Sequence, residues 1–452
     1  MDKQATPAMT WRFPRFFWIA NGVELFERAA YYGMFIALTL YLTREVGFTD
    51  IETGWVSAFF AALIYLAPTF TGALADRIGF RNALIAAFTL LTGGYFLLGL
   101  LQIKATAIAA LFLILLGGSF VKPVITGTVA KASDGANRAR AYSLFYQVVN
   151  IGAFLGKTVA KPLRTELGLK YINFYSAAMA FVALLLVMLF YHNMESAQKR
   201  SDLRETWKGF LAALSNGRFM LLILITAGFW VIQGQLYASM PKYALRMIGE
   251  HAAPEWLANI NPLMVVIFVV PITHLVRKLQ PVNSIAIALA LIPLSALTIS
   301  ASPLLERFFG DAVPIGPVAL HPITIMLSLG IALQGFAECF LSPRYLEYAS
   351  KQAPVGKEGL YMGFSHLNVF VAWLVGFIAS GYLLNSFCPD PATLPKLAQD
   401  QYRAALAGQV PMPDAYAHAH YIWFVFAGVG VVAFLSLLLF RWITGRNDRQ
   451  KA

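Results

Sequence analysis

Charge is scarce in this sequence. Only 13% of its 452 residues are Asp, Glu, Lys or Arg, about half the ~25% typical of soluble domains, so a large soluble domain is excluded. Cysteine is scarcer still, with two in the whole chain. That rules out a disulfide scaffold and a thiolate-built metal centre. Cys339 falls within an apolar span and Cys388 in an external loop, so no disulfide is expected between them. No Ser/His/Asp, metal-ligand or nucleotide-binding constellation has usable spacing, which sets aside an intramembrane enzyme. His418 and His420 stand where the last external loop meets the final apolar run, and they read as interfacial residues, not metal ligands.

What the chain has instead is apolar length. Hydrophobic residues make up 58% of it, with a mean hydropathy of +0.62. Spans of about 20 residues can be laid down twelve times, at roughly 13–42, 54–75, 82–103, 106–130, 140–160, 170–192, 218–245, 257–276, 283–302, 321–348, 359–386 and 418–442. Several hold a proline (Pro123, Pro241, Pro262, Pro271, Pro343), as kinked transporter helices do. The first run is too long and too charged for a signal peptide, so it is expected to stay as the first span. The one long polar interval, 193–217, divides the chain into six-helix halves at 1–192 and 218–452 and reads as an amphipathic linker. Lys and Arg outnumber Asp and Glu by 35 to 23, and the excess gathers in alternate connections. This is a positive-inside bias that predicts cytoplasmic termini and a cell-membrane protein. It is not a nucleic-acid footprint.

The costliest stretch is 21–35, Asn-Gly-Val-Glu-Leu-Phe-Glu-Arg-Ala-Ala-Tyr-Tyr-Gly-Met-Phe, in the middle of the first span. Ionisable groups at membrane depth must pair or face a wet cavity. At 100° per residue Glu24, Arg28, Tyr31 and Phe35 share one narrow face, flanked by Glu27 and Tyr32, so this face is read as lining a transport pathway. Desolvation and a neighbouring cation act on a carboxyl in opposite senses. Glu24 and Glu27, within reach of Arg28 and Lys122, therefore have the ingredients of a proton switch; a static ion pair is the alternative. The same cations could instead hold a substrate carboxylate. Glu338 stands alone in the tenth span, where an unpaired anion suits a substrate ammonium group, and a structural hydrogen bond is the alternative.

Between spans 2 and 3 the chain reads Gly72-Ala-Leu-Ala-Asp76-Arg77-Ile-Gly79-Phe-Arg81. It resembles the loop signature G-x-L-A-D-[RK]-x-G-[RK]-[RK] of the major facilitator superfamily. In that reading the glycines make a tight turn, Asp76 takes hydrogen bonds from a helix N-terminus and the arginines hold the loop at the lipid surface. A narrower resemblance is carried by five ordered elements. Glu24-Leu-Phe-Glu27-Arg28-Ala-Ala-Tyr31-Tyr32-Gly33 looks like the E-x-x-E-R-F-x-Y-Y-G motif of proton-dependent oligopeptide transporters. Phe120-Val-Lys122-Pro123, Phe145-Tyr146-Gln-Val-Val-Asn150-Ile-Gly152, Asn261-Pro262-Leu263 and Glu338-Cys-Phe-Leu-Ser342-Pro343, continuing to Met362-Gly363, resemble that family's further elements. The likeness implies an ammonium-binding Glu338 with Asn150 and Asn261 as neutral partners. Tyr31, Tyr32 and Tyr65 are candidates for the wall around the variable side chains.

The chain also departs from that pattern. Phe35 stands where many peptide-transporting members carry an arginine. Ser365, followed by His366, stands where they often place a tryptophan, and Gln233-Gly234-Gln235 occupies the place of an acid in span 7. Gln235, Phe35, Ser365 and His366 are accordingly candidate gate or pocket positions. So is Lys157, which either gates the outer side or snorkels to the interface.

The expectation is an all-α membrane protein with the twelve-helix major facilitator fold, monomeric in the bilayer. It would import di- and tripeptides with protons by alternating access, with no cofactor besides the coupling proton and no metal. The alternatives are a non-peptide organic anion or modified amino acid as cargo, and a sensor that kept the fold and lost turnover.

Overall fold

The computed structural model describes residues 13–133, 137–192, 207, 211, 214–352 and 364–450. The expected linker at 193–217 lies almost wholly outside them. The described chain is helical throughout, apart from one small antiparallel hairpin, β1 (Val313–Ile315) and β2 (Val318–Leu320).

Nine helices among the described residues are long and apolar enough to cross a membrane, and α2 (Asp50–Leu66) with α3 (Pro68–Ile78) adds a tenth as one broken span. The other two long helices are α1 (Arg15–Arg44), of 30 residues, and α6 (Arg138–Pro162), of 25. They fall short in composition, not in length, because they carry Glu24, Glu27 and Arg28 or Arg138, Arg140, Lys157 and Lys161. Counting them gives the twelve spans read from the sequence. Two of the helix breaks fall just ahead of a proline. Pro68 opens α3, and Pro241 sits in the first turn of α9 (Met240–Ile248) after α8 (Gly217–Ala238), where a missing N–H costs nothing.

The residues sort into two compact units, Met1–Phe35 with Ala67–Thr206, and Ile36–Leu66 with Trp207–Ala452. In the first, α4 (Phe80–Leu100) packs on α5 (Lys104–Lys131) and on α7 (Lys170–Phe190). Hydroxyls tie helices together where the apolar faces cannot: Thr71 Oγ1 donates to the Ser119 carbonyl at 2.7 Å, and Ser176 Oγ to the Ala30 carbonyl at 2.7 Å. Helices α1 and α6 cross backbone to backbone. A Cβ on Gly156 would overlap the Ala29 carbonyl, and one on Gly33 would sit 3.3 Å from the Gly156 carbonyl. The glycine of the Tyr-Tyr-Gly motif is thus a packing requirement. The loop motif works differently from its sequence reading. Arg81 donates from Nε to the Tyr191 carbonyl and from Nη2 to that of Met188, both at 2.9 Å, closing the C-terminal end of α7. Asp76 is exposed and takes no helix N-terminal hydrogen bond among the described residues.

In the second unit, α12 (Pro281–Ser300) packs on α14 (Pro322–Gln352), and α15 (Leu367–Phe387) packs on α2 and α8. A buried ionic cluster pins the start of α2. Asp50 accepts from Lys242 Nζ at 2.7 Å and from both terminal nitrogens of Arg246 at 2.7 and 2.9 Å, with no member more than 4% exposed. Arg246 Nη1 also donates to the Cys388 carbonyl at 2.6 Å, and Tyr402 Oη to the Arg246 carbonyl at 2.9 Å. Cys339 and Cys388 are both free and buried. Burial pushes the Cys388 thiol, just beyond the end of α15, up to about 12.

Two stability predictions follow from this packing. Gly156→Val forces the α1–α6 crossing apart and should cost about 1–3 kcal/mol, seen as a lower melting temperature in detergent. Gly93→Val, where nothing lies within 4 Å of a new Cβ, should change little, and equal shifts would refute the crossing's role. Asp50→Asn strands two buried cations and should cost about 3–5 kcal/mol. Arg44→Ala breaks only the half-exposed pair with Glu250 and should cost about 0–1 kcal/mol. Comparable losses in the two variants would overturn that ranking.

Candidate functional site

Each unit carries its own set of polar groups at membrane depth. In the first, Arg28 Nε lies 3.2 Å from Glu24 Oε1, one turn back on α1, and also hydrogen bonds to Glu27. The carboxylates are 2% and 3% exposed and the guanidinium 15%. Glu24 Oε2 is buried without a hydrogen-bond partner among the described residues. Lys122, on α5 just before the helix-bending Pro123, is accessible and lies within electrostatic range of all three. Helix α6 passes directly beneath Arg28, because a Cβ on Gly152 would lie 2.7 Å from the Arg28 Cβ. The E-R and N-x-G elements of the sequence are therefore two sides of one crossing.

Aromatic rings shelter this set. The Arg28 guanidinium carbon stands 5.5 Å from the Tyr31 ring centroid and 6.0 Å from that of Tyr32, within the range of a cation–π contact. Phe35 stacks on Tyr31 at 5.1 Å and is 1% exposed, so it is packed against that phenol on its own helix. Lys157 does not snorkel: it is 1% exposed, with Nζ 5.7 Å from the Tyr32 centroid. Asn150 donates its amide to the Tyr146 carbonyl of its own helix at 2.8 Å. Sequence reasoning passed over Tyr95 on α4. Its hydroxyl is buried without a hydrogen-bond partner among the described residues, in the field of Glu27 and Arg28. The only signal was a lone tyrosine in an otherwise apolar span.

In the second unit the centre is Glu338 on α14. Gln233 Nε2 donates to its Oε2 at 2.7 Å, and Asn261 Nδ2 reaches the same oxygen at 3.5 Å. Asn261 arrives there because α11 (Ile260–Leu275) crosses α14 at Gly335, where a Cβ would lie 2.7 Å from the Asn261 carbonyl. Among the described residues Glu338 forms no ion pair. Gln235, the glutamine singled out from sequence, is spent on packing: Nε2 bonds to the Val231 and Gly376 carbonyls at 2.8 and 3.3 Å, and Oε1 accepts from Ser239 at 2.8 Å. Ser365 is likewise fully buried, its carbonyl accepting from Tyr345 at 2.8 Å. The aromatic that the sequence reading did not place is Trp373, two turns beyond Ser365. Its ring centroid lies 5.0 Å from that of Tyr65 and 6.2 Å from that of Tyr237, and His366 lies 6.5 Å from Tyr65. No group of three or more metal-capable side chains gathers among the described residues.

Known proteins agree with this architecture. The family profile described as Major Facilitator Superfamily matches residues 22–313. Multidrug resistance protein MdtH of Salmonella newport (strain SL254) is 24% identical over 364 residues, covering 78% of this chain and 83% of that protein. The fold is similar to a crystal structure of peptide transporter POT in complex with sulfate, with a TM-score of 0.70 at 20% identity over 99% of both chains. It is also similar to a POT family transporter in complex with 5-aminolevulinic acid, with a TM-score of 0.70 at 19% identity over 94% of this chain and 96% of that one. With more than half its length matched by the family profile, its helices long enough to span a bilayer twelve times over and its polar groups sunk among them, the chain belongs to the Major Facilitator Superfamily, as a multi-pass membrane transporter.

Proposed function

We propose that the protein is a proton-coupled symporter of the proton-dependent oligopeptide transporter kind, importing di- and tripeptides by alternating access. The observation that carries this reading is Glu24. It is a buried carboxyl with one oxygen on Arg28 and the other without a hydrogen-bond partner among the described residues. Such a group binds a proton on its open oxygen while the guanidinium is drawn to something else, and gives the proton up when the guanidinium returns. A substrate carboxylate competing for Arg28 and Lys122 then ties proton occupancy to cargo occupancy. Glu338, with two amide donors and no ion pair among the described residues, is the proposed partner for an ammonium group. Tyr31 and Tyr32 on the first unit and Tyr65 on the second are proposed to contact the cargo's side chains. The proposed rocking halves are 1–192 and 218–452, joined through 193–217, with cytoplasmic termini. The fold neighbours, a peptide transporter and a POT family transporter holding 5-aminolevulinic acid, support a cargo with both an ammonium and a carboxylate.

In proteoliposomes with an imposed inward proton gradient, Glu24→Gln should abolish accumulation of L-Ala-L-Ala while leaving some exchange across equal pH. Unchanged gradient-driven accumulation would remove the proton role.

Phe35 favours a second cargo, a non-peptide organic anion or modified amino acid. Its ring stacks on Tyr31, where the peptide-transporter pattern often supplies a cation for the substrate carboxylate. If that substitution shapes selectivity, Phe35→Arg should raise L-Ala-L-Ala affinity about tenfold, one charge-assisted hydrogen bond in free energy. An unchanged affinity in the same uptake assay would discard the idea.

A further inference from the structure

The hydrogen bonds around Glu338 are lopsided. Both amide donors that reach it, from Gln233 and Asn261, land on Oε2, and Oε1 takes none among the described residues. Gln233 is 7% exposed. Its own side-chain oxygen is buried with no hydrogen-bond partner among the described residues. An amide is planar, so with Nε2 fixed on the carboxylate this orphan oxygen lies at the adjacent corner of the same group. Leaving such an acceptor unsatisfied forfeits its hydration with nothing in return. Natural proteins rarely tolerate that without a use for it.

We propose that Gln233 is a specificity-determining residue: its side-chain oxygen and the open oxygen of Glu338 form a two-acceptor cradle that selects a primary ammonium group over tertiary or quaternary amines. This rests on the reading of Glu338 as the ammonium site. A primary ammonium brings three N–H donors, one for each acceptor with one to spare, besides the charge that Glu338 lacks. A tertiary ammonium brings one N–H and leaves an acceptor empty; a quaternary ammonium brings none and leaves both. A site built to bond an N–H discriminates against ligands lacking it, because its own buried acceptors then stay unpaired. The selectivity therefore comes from a neutral amide that changes nothing in the charge of the site. It also separates this cavity from one that admits lipophilic amines on charge alone.

The test uses purified full-length protein in detergent with two ions of the same ring and chain, phenethylammonium and phenethyltrimethylammonium. A ligand of the folded state raises the melting temperature in proportion to its saturation. In the wild type, phenethylammonium should reach half its effect at about tenfold lower concentration, one hydrogen bond's worth of affinity. Gln233→Met should weaken phenethylammonium about tenfold and leave the trimethyl ion unchanged. Equal potency of the two ions on the wild type, no shift with either at 50 mM (about tenfold above the weak millimolar range), or a preference that survives Gln233→Met would each overturn the proposal. So would equal weakening of both ions, which marks Gln233 as merely positioning Glu338. Should Gln233→Met not fold, Gln233→Glu carries the test. It keeps an acceptor and must bind phenethylammonium at least as well as the wild type; weaker binding refutes the cradle. Uptake of L-Ala-L-Ala into proteoliposomes is scored separately. Its failure with ammonium selectivity intact removes the peptide reading alone, and its success with selectivity lost removes only the cradle.

Discussion

Arg28 cannot be left alone. It lies in the interior of a 30-residue helix, where an uncompensated guanidinium costs about 2.5–3.5 kcal/mol even on the most lenient membrane-insertion scales. The local sequence answers with Glu24 one turn back and Glu27 beside it. Two carboxylates over-answer a single cation, and Lys122 on α5 restores the balance from outside the helix. The glycines follow from the same need. Helix α6 reaches this place only because Gly152 and Gly156 let its backbone lie against α1. A side chain at either position would push α6 away and open the ionic set to lipid. Ion pairing and close helix packing are therefore one constraint at this depth: the charges require an enclosing wall, and the wall requires residues without side chains.

The spans were legible because a bilayer demands a length of apolar residues and little else. Even α1 and α6, whose charges lower their hydropathy, were legible from apolar length, and on α1 the spacing of Glu24 and Arg28 marked one face. What stayed hidden depends on which neighbour a helix meets. Asp50, Lys242 and Arg246 lie at helix ends, where charges ordinarily belong to solvated loops. Nothing in their spacing tells that three elements converge on them. Gln233 and Gln235 are two residues apart on α8, so they point in widely different directions. Sequence alone could not say that the first meets Glu338 while the second meets the Gly376 carbonyl. Trp373 escaped for a similar reason. The turn at His366, just ahead of α15, sets which residue faces Tyr65, and it is written in no periodicity. The peptide-transporter motifs singled out the acids and cations of both sets along the chain. They were silent on hydrogen-bond partners, which come from other helices.

The two ionic sets are built on different principles, and the difference bears on mechanism. On the first unit, Glu24 and Glu27 balance Arg28 and Lys122, so the set is neutral as it stands. Adding a proton to Glu24 makes it a cation, ready for a carboxylate. On the second unit, Glu338 has hydrogen bonds but no ion pair among the described residues, and amides temper a carboxylate without neutralising it. On the proposed reading, a neutral set that turns positive when Glu24 is protonated attracts a carboxylate, and Glu338 attracts an ammonium group. On that reading an ammonium group is drawn to Glu338, and a carboxylate is drawn to Arg28 more strongly once Glu24 has taken the proton, as the proton is held more strongly once the carboxylate is bound. A zwitterion would then gain its second attachment with the event that loads the coupling ion. On the proposed reading, that coupling of attractions makes import depend on the gradient, and it needs no direct contact between proton and cargo.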